Sequence, residues 1–156
     1  MGIVIERAVE ATPEVRQLIS ELDAVLSAEY EPHQRHGLPI ERIFEPNMRF
    51  FVVRRDGDAV GCGGVALFAD YAEVKRMYTR PSARRQGVGK ALLRQIEDEA
   101  RAVSLPVLRL ETGTRQPEAI GLYRRFGFRL CGAFGPYASM PPAAIETSLF
   151  FEKPIV

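Results

Sequence analysis

Arg84-Arg85-Gln86-Gly87-Val88-Gly89, continued at once by Lys90-Ala91-Leu92-Leu93, is the stretch from which the rest of the chain is read. It lies between an extended run ending near Thr79 and a helix starting near Gln86. Gly87 and Gly89 remove side chains and let a ligand approach the backbone. The amides of Gln86 to Gly89 are expected in a first helical turn, where N–H groups lack intrahelical partners. Those donors and the helix dipole attract a phosphate, and Arg84, Arg85 and Lys90 add positive charge. The competing reading is a basic helix start with no ligand, since short G-x-G patterns recur by chance. The surroundings decide between them.

Upstream, Ile3-Val4-Ile5 is a short β-branched run and a first strand. Thr12 caps a helix with Pro13 at its first position and Val15, Leu18, Ile19, Leu22, Val25 and Leu26 at helical spacing. That helix fades at Tyr30 and Pro32 ends it. His33 and His36 follow in a polar link; no carboxylate or cysteine cluster completes a metal site around them. Leu38 to Phe44 reads as a second short helix. Phe50 to Val53 is a strand, Asp56-Gly57 a hairpin turn, and Ala59 to Phe68 the returning strand. From Glu73 to Thr79 one alternation sets Glu73, Lys75, Met77 and Thr79 against Val74, Arg76 and Tyr78, and Pro81 closes that strand.

Downstream, Val88, Ala91, Leu92, Ile96 and Ala100 form one apolar helix face, with Glu97, Asp98 and Glu99 directed outward. Val107 to Glu111 is a strand, Pro117 to Phe126 a helix ended by Gly127, and Phe128 to Cys131 another strand. Pro136, Pro141 and Pro142 mark a loop, and Leu149 to Phe151 belongs to a terminal strand. Strands followed by a glycine-rich helix start indicate an α/β ligand-binding arrangement in one domain.

The chain has 156 residues, enough for one sizeable core. With 21 basic and 20 acidic residues it lacks the basic excess of a general nucleic-acid binder. Its 2 cysteines, Cys62 and Cys131, are too few for a disulfide framework and read as core thiols of a reducing compartment. No apolar run reaches membrane-spanning length and the first fifteen residues lack a signal-peptide profile, so a cytoplasmic protein without a membrane partner is expected.

Two motifs in this order resemble the GCN5-related N-acetyltransferases (GNAT). Arg84-Arg85-Gln86-Gly87-Val88-Gly89 fits the family signature Gln/Arg-x-x-Gly-x-Gly/Ala. Ala119-Ile120-Gly121-Leu122-Tyr123-Arg124-Arg125-Phe126-Gly127-Phe128 matches Ala-Ile-x-Leu-Tyr-x-x-x-Gly-Phe, and Leu110-Glu111 resembles the Leu-Glu-Val strand of the ribosomal-protein acetylating branch. The resemblance covers about Phe50 to Phe151. It implies a GNAT fold: a twisted, mixed, mostly antiparallel sheet of about six to seven strands flanked by helices. Residues 71–128 would form the acetyl-CoA-binding core of a single domain spanning 1–156, with 1–49 and 134–146 as the variable acceptor side.

The resemblance also implies roles. Met77, Tyr78 and Thr79 would bond the pantetheine arm through their backbone, and the amides from Arg85 to Lys90, Val88 included, would hold the pyrophosphate. Tyr123 matches the family's general acid. Glu73, eleven positions before Arg84, has the spacing of the catalytic glutamate in histone-acetylating members, while Glu111 matches the glutamate of the ribosomal-protein branch. Either glutamate is a candidate base, and each has a structural alternative: pairing of Glu73 with Lys75, or of Glu111 with Arg109 or Arg115. Gln116 stands where most members carry asparagine, which puts that cofactor contact in doubt. Tyr137 is a candidate acceptor-pocket residue that could equally pack its loop down. Lys75 beside Glu73 would suit a carboxylate-bearing acceptor, although an internal ion pair is the simpler role.

The implied activity is metal-free transfer of acetyl from acetyl-CoA to a primary amine by direct attack, the acceptor a small molecule or amino acid. A protein or peptide acetyltransferase and a nonenzymatic CoA-binding module are the alternatives. Many relatives dimerise through sheet edges, and a homodimer is expected on that ground alone.

Overall fold

A computed structural model of the chain describes residues 2–156. Its seven strands form one sheet in the order β1-β2-β3-β4-β5-β7-β6. Ile3–Ala8 (β1), Met48–Arg55 (β2), Asp58–Leu67 (β3) and Ala72–Thr79 (β4) make an antiparallel meander. Val107–Gly113 (β5) pairs in parallel with β4, and Ser148–Pro154 (β7) lies antiparallel between β5 and Arg129–Cys131 (β6). The mixed, mostly antiparallel sheet expected from the sequence is therefore present. The Asp56-Gly57 turn has positive φ at both positions (51° and 87°), the requirement of a two-residue hairpin whose twist matches its strands.

Alternation along β2 divides the core. Phe50 and Val52 pack with Val15, Leu18, Ile19 and Leu22 of the helix Pro13–Glu29 (α1). Phe51 and Val53 pack on the other face with Val88 and Leu92 of the helix Val88–Ala102 (α2). The helix Pro117–Phe126 (α3) joins α2 on that face, with Tyr123 beside Leu93, Ile96 and Phe151. Thr12 caps α1 by accepting the Val15 amide at 3.2 Å, as its sequence indicates.

Several local expectations are corrected. The segment 38–44 forms only a single 3-10 turn, Ile40–Arg42, because Pro39 and Pro46 leave no room for a longer helix. Val25 is exposed rather than on the buried stripe of α1. Glu97 points inward, accepting from Lys153 Nζ at 2.6 Å and so tying α2 to β7. The proline-rich stretch is not a plain loop: Gly135–Ser139 is a 3-10 turn and Pro142–Ile145 a one-turn helix (α4).

The alternation assumed for β4 is also broken. Tyr78 faces Cys62 and Lys75 faces Gly64, so Arg76 and Met77 together oppose Gly63, and Arg76 has φ 56°. This bulge reverses the facing of the strand beyond it. Val74 lies with Leu93 and Ile96, whereas Tyr78 lies with Leu18 and Leu22 on the opposite face. Bulges bend and twist a strand. Here β4 pairs with β5 only at Ala72↔Leu108 and Glu73↔Arg109, and beyond those residues the two strands part.

Candidate active site

The loop that opens α2 has an unusual backbone. Arg85 (φ 62°) and Gly87 (φ 81°) are left-handed, and Gly87 is the N-cap of α2, so the helix begins at Val88 rather than at Gln86. The first intrahelical bond is Ala91 N–H to Gly87 O at 3.0 Å. Among the described residues, the N–H groups from Arg85 to Lys90 have no backbone acceptor. Successive free N–H groups in a left-handed bend before a helix form an anion-binding concavity. The two glycines serve different ends. Gly87 supplies the left-handed conformation, and a Cβ there would meet nothing within 4 Å. A Cβ on Gly89 would lie 2.6 Å from Leu122 Cδ2, so Gly89 lets α2 approach the helix that carries Tyr123.

The side chains of this loop are exposed except Val88, which is buried. Arg84 reaches Glu118 at 3.5 Å and donates to Thr79 O at 3.3 Å. Gln86 accepts from Arg55 and donates to Ser82 O, bracing the loop against β2. Arg85 and Lys90 are left open to solvent.

Where β4 and β5 part, a cavity of about 120 Å³ opens. Its β4 wall holds Glu73, Lys75, Arg76 and Met77; its β5 wall holds Glu111 and Thr112; Gln116, Ala119 and Tyr123 come from the start and first turns of α3. Arg35, His36 and Tyr137 also line it. Both candidate glutamates and the candidate acid therefore share one cavity.

Their environments differ. Glu73, only 3% exposed, accepts from Tyr137 Oη at 2.7 Å and from Lys75 Nζ at 3.0 Å. Its charge is matched and its lone pairs engaged. Glu111 meets no arginine: Arg109 pairs with Glu152, and Arg115 donates to Glu29 O. Instead Glu111 accepts from Ser148 Oγ at 2.6 Å, and burial raises its pKa above the ordinary carboxylate value. Burial and the nearby Glu111 charge raise the Tyr123 phenol as well, so it stays protonated throughout the working range.

Tyr137 both packs its loop down and lines the cavity. Its ring packs with Phe134 and Phe150 and holds the loop down, while its hydroxyl reaches Glu73 and Lys75 in the cavity. Of the pantetheine candidates, Met77 lines the cavity; the Tyr78 side chain leaves it for the α1 face, donating to Glu21 Oε1 at 3.1 Å. Cys62 is buried, with its pKa pushed up to about 12, unsuited to act as a nucleophile. No group of three metal-ligating side chains occurs among the described residues, and no helix among them is long and apolar enough to cross a membrane. Sequence reading missed Ser148, whose partner lies thirty-seven residues away. It also missed the bulge at Arg76, which the even pattern of polar and apolar residues concealed.

The Acetyltransferase (GNAT) family model matches residues 15–128, from α1 through the anion-binding loop to the end of α3. The chain belongs to the GNAT family. An IAA acetyltransferase of Azospirillum brasilense is 44% identical over 156 residues, covering 99% of each chain. Among solved structures, a Klebsiella pneumoniae protein described as an acyl-CoA N-acyltransferase is 35% identical and superposes with a TM-score of 0.79, covering 99% of this chain and 98% of the other. The PaiA N-acetyltransferase of Thermoplasma acidophilum, solved with coenzyme A, shares the fold at a TM-score of 0.73 and 17% identity, over 99% of each chain. This GNAT chain is an acetyl-CoA-dependent N-acetyltransferase. Two features of its backbone stand beside that assignment: amides without backbone acceptors from Arg85 to Lys90, and a β4 edge that parts from β5 beyond Glu73.

Proposed function

We propose that the acceptor is a small molecule with a primary amine, free amino acids included, and that the amine attacks the thioester directly in the opening between β4 and β5. The observation that carries this reading is the meeting of a carboxylate with raised pKa, Glu111, and a protonated phenol, Tyr123, in one cavity of small volume. The IAA acetyltransferase among the relatives favours a small acceptor over a polypeptide.

Acetyl-CoA supplies the activated acyl group. The amides from Arg85 to Lys90 hold its diphosphate, with Arg84 alongside; the β4 backbone at Met77, Tyr78 and Thr79 holds its arm, with Gln116 at the start of α3 nearby. A primary amine is mostly protonated at neutral pH and must lose a proton before it attacks. Glu111 accepts that proton, directly or through water. Its raised pKa narrows the gap to the amine and makes it a better base than an ordinary carboxylate. Glu73, already engaged by Lys75 and Tyr137, positions the loop at the cavity mouth instead. Tyr123 donates a hydrogen bond to the departing sulfur. Full proton transfer from an ordinary phenol to an ordinary thiolate runs uphill by about 2 kcal/mol, and a raised phenol pKa widens that gap. Tyr123 therefore acts chiefly by stabilising developing charge.

Thiol release from acetyl-CoA, measured across small amines and short peptides, tests the proposal. Turnover is expected with small primary amines. Turnover confined to peptide N-termini or protein lysines would overturn the small-acceptor reading.

A further inference from the structure

We infer that Arg35 and Arg76 form a carboxylate-binding subsite in the wall of the cavity, so that the acceptor is an amine that also carries a carboxylate, as an amino acid does. The inference rests on the small-amine reading above and narrows it.

Two guanidinium groups line this cavity, and each has a buried donor without an acceptor. Arg76 is nine-tenths buried; one of its terminal nitrogens is bonded to the exposed Asp23, while its Nε is unpartnered. Arg35 is half-buried, and its Nε too is buried and unpartnered. Among the described residues, the Arg35 side chain takes part in no ion pair. The two sit on adjoining walls. Gly37, two residues beyond Arg35, lies so close to the Arg76 guanidinium that a Cβ there would collide with Nη1.

A buried donor left unpaired is costly, and a charged donor more so. The planar fork of a guanidinium suits a carboxylate, which can engage two N–H groups at once. The other charges on the walls are already matched or engaged. Lys75 is held by Glu73 and Tyr137, and Glu111 by Ser148. What the cavity offers a zwitterion is therefore the unpaired charge of Arg35, with the Arg76 guanidinium beside it held on one side by Asp23, for its carboxylate, and Glu111 for its amine. An acceptor lacking the carboxylate leaves the Arg35 charge without a counter-ion.

Thiol release with the full chain and acetyl-CoA, comparing each standard primary L-amino acid with the amine left by its decarboxylation, provides the test. At least one acid should exceed its amine in kcat/KM by about tenfold or more, the scale of one charge-assisted hydrogen bond. Arg35→Gln should raise KM for that acid about tenfold while changing kcat much less, and should erase the acid-over-amine preference. Arg76→Lys, which keeps the charge and loses the fork, asks the same question if Arg35→Gln folds poorly. Acetylation of the decarboxylated amines as efficiently as the acids would overturn the subsite and leave the small-amine reading standing. An unchanged KM in both variants would also overturn it. Absence of thiol release with acids and amines alike would remove the small-amine reading, and this inference with it.

Discussion

The Tyr137 hydroxyl donates to Glu73 at 2.7 Å and lies 3.0 Å from Lys75 Nζ, joining residues of one strand to a loop sixty-four positions further along the chain. Three polar groups satisfy one another against the aromatic cluster of Phe134, Phe150 and Tyr71. Tyr137→Phe removes the shared hydroxyl and leaves Glu73 short of a partner in a buried place. The expected loss of unfolding free energy is about 1–3 kcal/mol, measured by denaturant titration. Limited proteolysis should then cut first within 134–146.

Glu111 should reveal a trade between stability and activity. Its pKa is raised in the folded state, so folding favours the protonated form. The resulting stability is fully present below the unfolded pKa and is lost as pH rises through the higher folded value. At neutral pH the ionised side chain is therefore a liability. Glu111→Gln, isosteric and neutral, is expected to raise Tm at pH 7 and to leave it nearly unchanged at pH 4, by calorimetry.

The same variant should lose about 10²-fold in kcat at neutral pH. The loss should shrink as pH approaches the acceptor's own pKa, because an amine already deprotonated needs no base. A deficit independent of pH would argue that Glu111 orients the acceptor rather than accepting its proton.

Tyr123→Phe removes a hydroxyl at the cavity and keeps the ring, which packs edge-on to Phe128 at 5.8 Å. Stability should hold within about 0.5 kcal/mol. The turnover number should fall about 10²-fold with little change in KM for acetyl-CoA, by steady-state kinetics.

Gly87→Ala places a Cβ on a residue with φ 81°. Nothing obstructs the methyl group, so the cost is conformational, about 1–2 kcal/mol. If the backbone relaxes to relieve it, the free amides turn away and KM for acetyl-CoA rises while KM for the acceptor does not. Gly89→Ala acts differently: it presses on Leu122, and its effect should appear in kcat through displacement of Tyr123.

Most of the scaffold was legible because its signals are local. The Asp56-Gly57 turn, the Thr12 cap with Pro13, the alternation in β2 and the C-terminal glycine of α3 each act within a few residues. The glycine-containing loop was legible for the same reason, although its helix starts two residues later than expected. The expected phase of β4 failed because a bulge leaves no compositional mark when the residues it displaces alternate in polarity as a regular strand would. The distinction between Glu73 and Glu111 was equally hidden. It depends on Lys75, Tyr137 and Ser148, two of which lie far from either glutamate in the chain.

The order of amino acids thus determined most of the elements and the loop of free amides, since periodicity, capping and backbone freedom are short-range properties; Tyr123, Glu73 and Glu111 were candidates through the family resemblance. Only the tertiary structure decided which carboxylate is left with a raised pKa and which guanidinium groups lack acceptors. Burial and hydrogen-bond pairing are set by neighbours that meet in space when β4 bends away from β5.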